Sequence, residues 1–149
     1  MSKNEEIIRS GYAAAEGGVN DVKKFVSLFT SDGVILDVAS GTEYREKNLG
    51  QLVEVFATGF PDMHREIHQV YETQDRVIVE LTLHGTHNGP LVLPAGTLKA
   101  TGKQMHTPCC DVFYMTPDRK IQRFNCYAAG TIMFFQLGVL TNLGAALTQ

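Results

Sequence analysis

Clustered positive charge is what this sequence most clearly lacks. Its 13 Lys and Arg residues face 16 Asp and Glu residues, the formal net charge is -3 at pH 7, and no basic run is longer than Lys23-Lys24. Proteins that bind a phosphate backbone or an anionic membrane surface concentrate Lys and Arg on one face. The sequence therefore argues against nucleic acid or a membrane surface as a partner.

An export signal and a membrane span are also lacking. Residues 1–8 contain neither an apolar core nor a small-residue cleavage site. The most apolar segment, residues 128–147, is broken by polar residues and glycines, which predicts a buried helix and a tail instead of a span. There are only three cysteines, Cys109, Cys110 and Cys126, without metal-ligand spacing. Reduced thiols in a cytoplasmic protein without a metal site fit this pattern.

What is present is an ordinary globular composition. Hydrophobic residues make up 44% and charged residues 19% of the 149 positions, which is too apolar for a disordered segment. No repeat, low-complexity stretch or Pro/Gly-rich linker divides the chain. We therefore predict a single domain over residues 1–149.

The hydrophobic periodicity changes from helical to alternating near Met63. Apolar residues at helical spacing predict helices over residues 4–16, 21–29 and 48–59, with a short strand over 34–38. Alternation then predicts four strands, over residues 63–71, 77–83, 104–115 and 121–127. Helices followed by a meander predict an α+β fold, with N-terminal helices packed on one face of a strongly curved antiparallel sheet.

Six short stretches in this order resemble the SnoaL-like polyketide cyclases, a branch of the nuclear-transport-factor-like superfamily. They are Phe60-Pro61-Asp62-Met63-His64, Asp75-Arg76-Val77, Gly85-Thr86-His87-Asn88-Gly89, Ala100-Thr101-Gly102-Lys103, Asp111-Val112-Phe113 and Gln136-Leu137-Gly138. The resemblance covers most of the chain. It implies a cystatin-like conical, barrel-like fold that forms a homodimer and holds a pocket between helices and concave sheet face, without a cofactor or metal.

The resemblance also implies an activity and its residues. The family's cyclases close a ring by intramolecular aldol condensation, using an acidic side chain on the last strand and a polar partner on the strand before it. Carried onto this sequence, the acid position falls on Cys126 and the partner position on Asp111. Related enzymes with the same cone isomerise ketosteroids or hydrolyse epoxides, so the fold does not choose the reaction.

Asp111 is the most informative residue on strand periodicity alone. Its face of the predicted strand carries mainly apolar neighbours, namely Met105, Thr107, Cys109, Phe113 and Met115. Desolvation raises the pKa of a carboxyl, which is what a general acid/base near neutral pH requires. The structural alternative is that Asp111 pairs with a buried Arg or caps a neighbouring backbone group.

Two further residues are candidates for chemistry. Cys126 shares its predicted face with Phe124 and Gln122, and it either lines a cavity or fills core space as a buried thiol. Asp37 is expected either to point inward as a second carboxyl or to cap the turn at residues 40–41. Two inward aspartates would repel each other and separate their pKa values into an acid and a base.

The histidines do not form a helical zinc motif. His64 and His68 are four apart in a strand, where we expect surface or dimer-interface positions, and His106 lies on the face opposite Asp111. His84 and His87 flank a Gly-Thr loop and are expected at a pocket rim or exposed.

A small apolar ligand is the expected partner of the pocket. Its predicted binding residues are Phe56, Phe60, Met63, Arg65, Met105, Phe113 and Phe124. Arg65 is also the best candidate to pair with an inward carboxylate. A homodimer is expected through the outer sheet face, which carries Ile78, Val112, Tyr114 and His68 instead of uniform charge.

Three functions are compatible with the sequence. The first is a cofactor-free cyclase or isomerase acting on an apolar carbonyl compound, with Asp111 as acid/base. The second is an epoxide hydrolase, which would need a tight group of Asp37, Arg65 and Asp111. The third is a non-catalytic ligand-binding or dimerisation module. A cavity that reaches Asp111 favours an enzyme, and an exposed Asp111 beside a closed interior favours the module.

Overall fold

The computed structural model describes residues 1–140 and 147 and arranges them as helices over a curved sheet. The helices are α1 (Lys3–Ala14), α2 (Val22–Ser27), α3 (Gln51–Gly59) and α4 (Gly130–Gln136), with a 3-10 turn at Glu46–Asn48. The strands are β1 (Phe29–Asp37), β2 (Thr42–Arg45), β3 (His64–Glu72), β4 (Arg76–Thr86), β5 (Leu91–Leu93), β6 (Gly96–Leu98), β7 (Gln104–Met115) and β8 (Ile121–Ala128). The α+β class predicted from the sequence is confirmed.

Six strands form one sheet in the order β2-β1-β8-β7-β4-β3, while β5 and β6 form a separate hairpin. Most neighbours are antiparallel, but β1 pairs with β8 in parallel. The sheet is therefore mixed, whereas the sequence predicted a wholly antiparallel one. β1 comes from the helical half of the chain and runs in the same direction as its neighbour β8. The sheet is curved without closing into a barrel.

Register shifts bend three of the strand pairs and reverse some predicted side-chain directions. The shift between Ile67 and Gln69 leaves Tyr71 on the outer face, 49% exposed, whereas strict alternation over residues 63–71 would put it on the face of Met63 and Ile67. The shift beside Met115 turns Ile121 inward and exposes Gln122. The prediction that Gln122 shares the face of Cys126 is thus wrong, since the bulge adds a residue to the alternation.

The core lies between the inner sheet face and the helices. Alternate residues of β4 and β7 are buried along their lengths, as the sequence pattern predicted, and they pack against buried residues of α1 and α3. The burial of one face of each helix and strand is the dominant stabilising term in such a fold.

A glycine brings α1 onto the inner face of the sheet. The Gly17 amide donates to the Met63 carbonyl at 2.6 Å, and a Cβ at Gly17 would lie 2.6 Å from the Asp62 carbonyl carbon. Only a residue without a side chain permits this approach. The contact fixes the end of α1 against the start of β3 and so positions the side chains of α1 over the sheet.

Several boundaries differ from the predicted ones. Asp21, predicted as the first residue of a helix, instead caps α2 by accepting from the Lys24 amide at 3.0 Å. Phe29, predicted as helix, begins β1. The short strands β2, β5 and β6 were not predicted, because three or four residues carry little periodicity. Of the helix and tail predicted for residues 128–147, α4 is present and most of the tail lies outside the described residues.

Candidate active site

Three of the predicted site residues lie in one row across the sheet. Asp37 of β1 pairs with Cys126 of β8, which pairs with Asp111 of β7. All three side chains are buried on the inner face. Neighbouring strands are about 4.8 Å apart, so the two aspartates lie about 10 Å from each other with the thiol between them.

The carboxyl of Asp111 is 3% exposed and is held by two hydrogen bonds. The Tyr12 hydroxyl donates to Oδ2 at 2.7 Å, and the Cys109 thiol donates to Oδ1 at 3.2 Å. Burial raises the pKa of Asp111 above its ordinary value of 3.8, while the bonds from Tyr12 and Cys109 and the charge of Arg65 partly oppose the rise. This is the pKa direction that a general acid/base needs.

Tyr12 belongs to the site although it was not among the residues predicted for it. Burial, followed by the charge of Asp111, raises the pKa of its hydroxyl well above 10.0, so Tyr12 remains a donor at neutral pH. Its ring packs edge-on to Phe113 with centroids 6.0 Å apart. A tyrosine among the apolar positions of a helix predicts a buried polar partner, because a buried hydroxyl needs a hydrogen bond.

Cys109 and Cys126 face each other beside the carboxyl, with Sγ atoms 3.8 Å apart. The bond to Cys126 and burial raise the pKa of Cys109. The contact with Cys109 lowers the pKa of Cys126, but burial and the charges of Asp111 and Asp37 outweigh it and raise the value. Both groups are therefore thiols at neutral pH, whereas the nucleophilic form of cysteine is the thiolate.

Cys109, Asp111 and Cys126 form a group of possible metal ligands. The ligand atoms of Cys109, Asp111 and Cys126 lie within 4.8 Å of one another. The sequence spacing gave no sign of this group because its members come from two strands. An ion would have to displace the protons of both thiols, which their raised pKa values oppose.

Arg65 reaches the same part of the interior but does not form the ion pair expected of it. Its Nη1 donates to the Ala15 carbonyl at 2.7 Å, at the carboxyl end of α1. Among the described residues, no Lys or Arg lies within ion-pair distance of Asp111. The guanidinium acts on Asp111 across the cavity and lowers its pKa without neutralising it at contact.

Two cavities lie over the row. The smaller, about 30 Å³, is lined by Asp111, Cys126 and Arg65 together with aromatic side chains that include Phe113 and Phe124. This volume holds about two water molecules. The larger, about 310 Å³, is lined by Asp37, Tyr44 and mostly apolar side chains, and its size is that of a small-ligand pocket.

Leu52 and Phe56, both from α3, line both cavities and separate them. On the sheet side, Phe113 and Phe124 stack with centroids 4.4 Å apart and form the floor of the smaller cavity. The structure thus places four predicted ligand-binding residues, Phe56, Arg65, Phe113 and Phe124, around a cavity.

The other three predicted ligand-binding residues lie in the core and do not line either of these two cavities. Phe60, Met63 and Met105 are each at most 2% exposed. Phe60 packs instead between Phe56 and His87, with ring centroids 6.3 and 5.4 Å away. His87 is fully buried, so the expectation of a rim or exposed position is wrong for it. Its Nδ1 accepts from the Thr101 amide at 3.2 Å, while its buried Nε2 has no hydrogen-bond partner in the described part of the chain.

Asp37 combines the two roles that the sequence left open. Its Oδ2 accepts from the Ser40 hydroxyl at 2.5 Å in the turn after β1, and its side chain also lines the larger cavity. Nearby, burial and then the charge of Asp37 raise the pKa of Tyr44. Asp37 is therefore both a turn cap and an inward carboxylate.

A curved sheet covered by helices, with a buried acid beside an apolar cavity, defines a small α+β domain with an internal cavity. A model of the SnoaL-like domain family matches residues 9–124, and the chain belongs to that family. A search of curated proteins found no match. No helix in the described part of the chain is long and apolar enough to cross a membrane.

Solved structures share the fold at low sequence identity. A proposed SnoaL-like polyketide cyclase from Jannaschia sp. CCS1 is 15% identical with a TM-score of 0.79, covering 90% of each chain. IdmH, a proposed polyketide cyclase from Streptomyces antibioticus, is 21% identical with a TM-score of 0.73, covering 93% of this chain and 100% of its own. SalBIII, an epoxide hydrolase/cyclase-like enzyme in pyran ring formation of the polyether salinomycin, is 20% identical with a TM-score of 0.70, covering 87% and 93%.

Proposed function

We propose that this protein is a cofactor-free polyketide cyclase-like enzyme. It cyclises an apolar carbonyl compound by an intramolecular aldol-type reaction, or isomerises it, with Asp111 as general acid/base. The observation that carries the proposal is the buried Asp111 carboxyl, which borders an apolar cavity, accepts from Tyr12 and has no contacting cation among the described residues. An acid so placed can exchange a proton with a substrate carbon next to a carbonyl.

The substrate occupies both cavities in this proposal. Its apolar body fills the larger cavity, whose walls are mostly apolar, and its reacting end passes Phe56 to reach Asp111. Displacement of the two waters that fit the smaller cavity excludes solvent from the reaction. Tyr12 holds the carboxyl in place, and the charge of Arg65 stabilises its ionised form.

Cys126 and Asp37 have secondary roles. The Cys126 thiol lines the cavity at the position where the family has its acid, and it shapes the wall beside Asp111 without acting as a nucleophile. Asp37 lies in the other cavity, where its carboxylate orients the far end of the substrate. The roughly 10 Å between the two aspartates and the absence of a contact from Arg65 to either of them argue against a tight epoxide-hydrolysing group.

A non-catalytic module is the weaker alternative. It would need no cavity at the carboxyl, whereas the smaller cavity reaches Asp111. Burial of an ionisable group without a cation partner costs stability, and such groups concentrate at functional sites.

The decisive variant is Asp111→Asn. Asparagine has nearly the same shape but cannot exchange a proton near neutral pH, so turnover of a cyclisable carbonyl substrate should fall by about 100-fold or more while substrate affinity is retained.

Stability of the same preparation separates catalysis from structure. Because the folded state raises the pKa of Asp111 above 3.8, its contribution to stability is full below that pH and declines as pH rises through the folded-state value. Asp111→Asn should therefore melt at the same or a higher temperature than the parent at neutral pH, with the difference vanishing in acid. If Asp111 instead neutralises a buried arginine, Asp111→Asn should leave turnover unchanged and lower the free energy of unfolding by about 3 kcal/mol. That result would contradict the catalytic role.

A further inference from the structure

Four of the five histidines lie on the outer face of the sheet, away from the cavities. Three of them form a row across adjacent strands, in which His64 of β3 pairs with His84 of β4 and His84 pairs with His106 of β7. Glu66 lies beside them on β3. Facing histidines on neighbouring strands are held by the backbone at a fixed separation.

The imidazoles of His84 and His106 meet at close range. Their Nδ1 atoms are 2.7 Å apart, and Nε2 of His84 lies 3.3 Å from Oε2 of Glu66. A carboxylate only accepts, so the proton of neutral His84 resides on Nε2 and its Nδ1 carries a lone pair. His106 then donates its Nδ1 proton to that lone pair, and one proton occupies the space between the two nitrogens.

We propose that His84 and His106 chelate one divalent ion of the Ni²⁺ or Cu²⁺ type through these two Nδ1 atoms. The ion replaces the shared proton, which moves to Nε2 of His106. Two nitrogens bound at about 2.0–2.1 Å on adjacent corners of a square-planar or octahedral ion lie about 2.9 Å apart. A tetrahedral ion would need about 3.3 Å. The observed 2.7 Å is nearer to this separation than to the tetrahedral one. Both imidazoles turn on binding, so that their Nδ1 lone pairs converge on the ion instead of lying along the hydrogen bond.

The surroundings supply the rest of a coordination shell. Glu66 accepts from the far nitrogen of His84, the carboxylate–histidine–metal arrangement that fixes the tautomer and makes the ligand more basic. A surface cleft of about 120 Å³ beside the pair, lined also by Gly85 and Gln104, leaves room for water ligands. Asp62 borders the cleft, but both of its oxygens accept from Thr86, at 2.7 and 2.8 Å.

This site is independent of the proposed enzymatic function. His84 and His106 point to the face opposite Asp111, so metal binding is measured without a substrate. A failed metal titration leaves the acid/base assignment untouched, and an inactive Asp111 leaves the metal site untouched.

The test is a calorimetric titration of the untagged, reduced full chain with NiCl2 at about neutral pH. We expect one Ni²⁺ per chain, and no measurable binding in His84→Asn or His106→Asn. His64→Asn is the matched control, because His64 lies in the same row but pairs with Glu16 at 2.8 Å. It should bind Ni²⁺ as the parent does. All three positions are at the surface, and circular dichroism checks that each variant is folded.

Glu66→Gln tests the positioning role of the carboxylate. Removing a partner of a metal-bound histidine typically costs about 10- to 100-fold in affinity, and we expect that loss with the stoichiometry unchanged. The proposal is overturned if the parent binds no Ni²⁺, if either the His84 or the His106 variant binds it normally, or if His64→Asn removes it. An unchanged affinity in Glu66→Gln contradicts the assignment of Glu66.

Discussion

At the scale of single residues, the proton affinity of Asp111 is set by a balance between burial and donors. Burial alone would hold the carboxyl in its neutral form. The Tyr12 hydroxyl, the Cys109 thiol and the charge of Arg65 each favour the ionised form and lower the pKa from that limit. Tyr12 makes the shorter of the two hydrogen bonds, so it is the residue whose removal most directly shifts the balance.

Tyr12→Phe should move the pH profile of catalysis upward. The hydrogen bond from Tyr12 lowers the pKa of Asp111. Without this bond, less opposes the effect of burial, so the pKa rises further. If ionised Asp111 is the base, the acidic limb of kcat/KM shifts to higher pH and activity recovers there. The variant should also lose about 1–3 kcal/mol of stability at neutral pH, the usual cost of removing a partner from a buried charge.

The control for this prediction is Tyr114→Phe. Tyr114 lies three residues from Asp111 on the outer face of β7, where its ring packs under the Arg76 guanidinium at 3.8 Å. Its hydroxyl does not contact the carboxyl, so the acidic limb should stay in place. An acidic limb that stays unmoved in Tyr12→Phe shows that the hydroxyl has no influence on the catalytic group.

The sequence was informative about which residues are buried and less so about what they contact. Alternation along one strand was sufficient to predict an inward Asp111 in apolar company. Its partner Tyr12 lies 99 positions away on a helix, and no local pattern records that contact. The misplaced Gln122 has a different origin, since a bulge shifts alternation by one residue without a distinctive sequence signal.

At the scale of elements, α3 divides the interior. Its apolar stripe, visible in the sequence, packs over the sheet so that Leu52 and Phe56 stand between the two cavities. The larger cavity alone has the volume of a small ligand, and the smaller holds the acid. We therefore expect the position of the Phe56 ring to control whether a ligand in one cavity reaches the other.

Phe56→Ala should join the cavities. We expect tighter binding of a neutral apolar dye such as Nile red, measured by fluorescence titration, because the joined space accommodates a longer molecule. Stability should fall by about 2–4 kcal/mol, as for other large-to-small substitutions in a core.

Phe134→Ala is the matched control, since Phe134 lines the larger cavity without lining the smaller. It enlarges one cavity without opening a passage, so a long dye should gain little from it. Equal gains in the two variants would contradict the role of Phe56 as the partition.

Element prediction succeeded where the periodic signal was long and failed where it was short. The nine- to twelve-residue strands β3, β4 and β7 were found close to their observed bounds. The parallel pairing of β1 with β8 was not, because pairing partners are chosen by the whole fold and not by either segment. The row of Asp37, Cys126 and Asp111 depends on that pairing and could not be assembled from sequence alone.

At the scale of the whole molecule, the outer face of the sheet exposes apolar side chains. Tyr71, Ile78 and Val112 form a row across β3, β4 and β7. Tyr71 is 49% exposed, and Tyr127, also on this face, is 47% exposed. Exposed apolar groups that adjoin one another on a sheet face favour association with a second copy, because an isologous contact buries the same face twice.

We therefore propose that the chain forms a homodimer through the end of the outer face that holds Tyr71, Ile78 and Val112, where Ile78 lies six residues along β4 from His84. Sedimentation at concentrations on the order of tens of micromolar should show a dimer, as expected for an interface of standard size. Val112→Glu places a charge at the centre of the face and should give a folded monomer, because an unpaired charge is costly to bury. Lys99→Glu changes the charge in the exposed loop before β7 and should leave the dimer intact. A monomeric parent, or a Val112→Glu protein that still sediments as a dimer, would show that this face is not the interface.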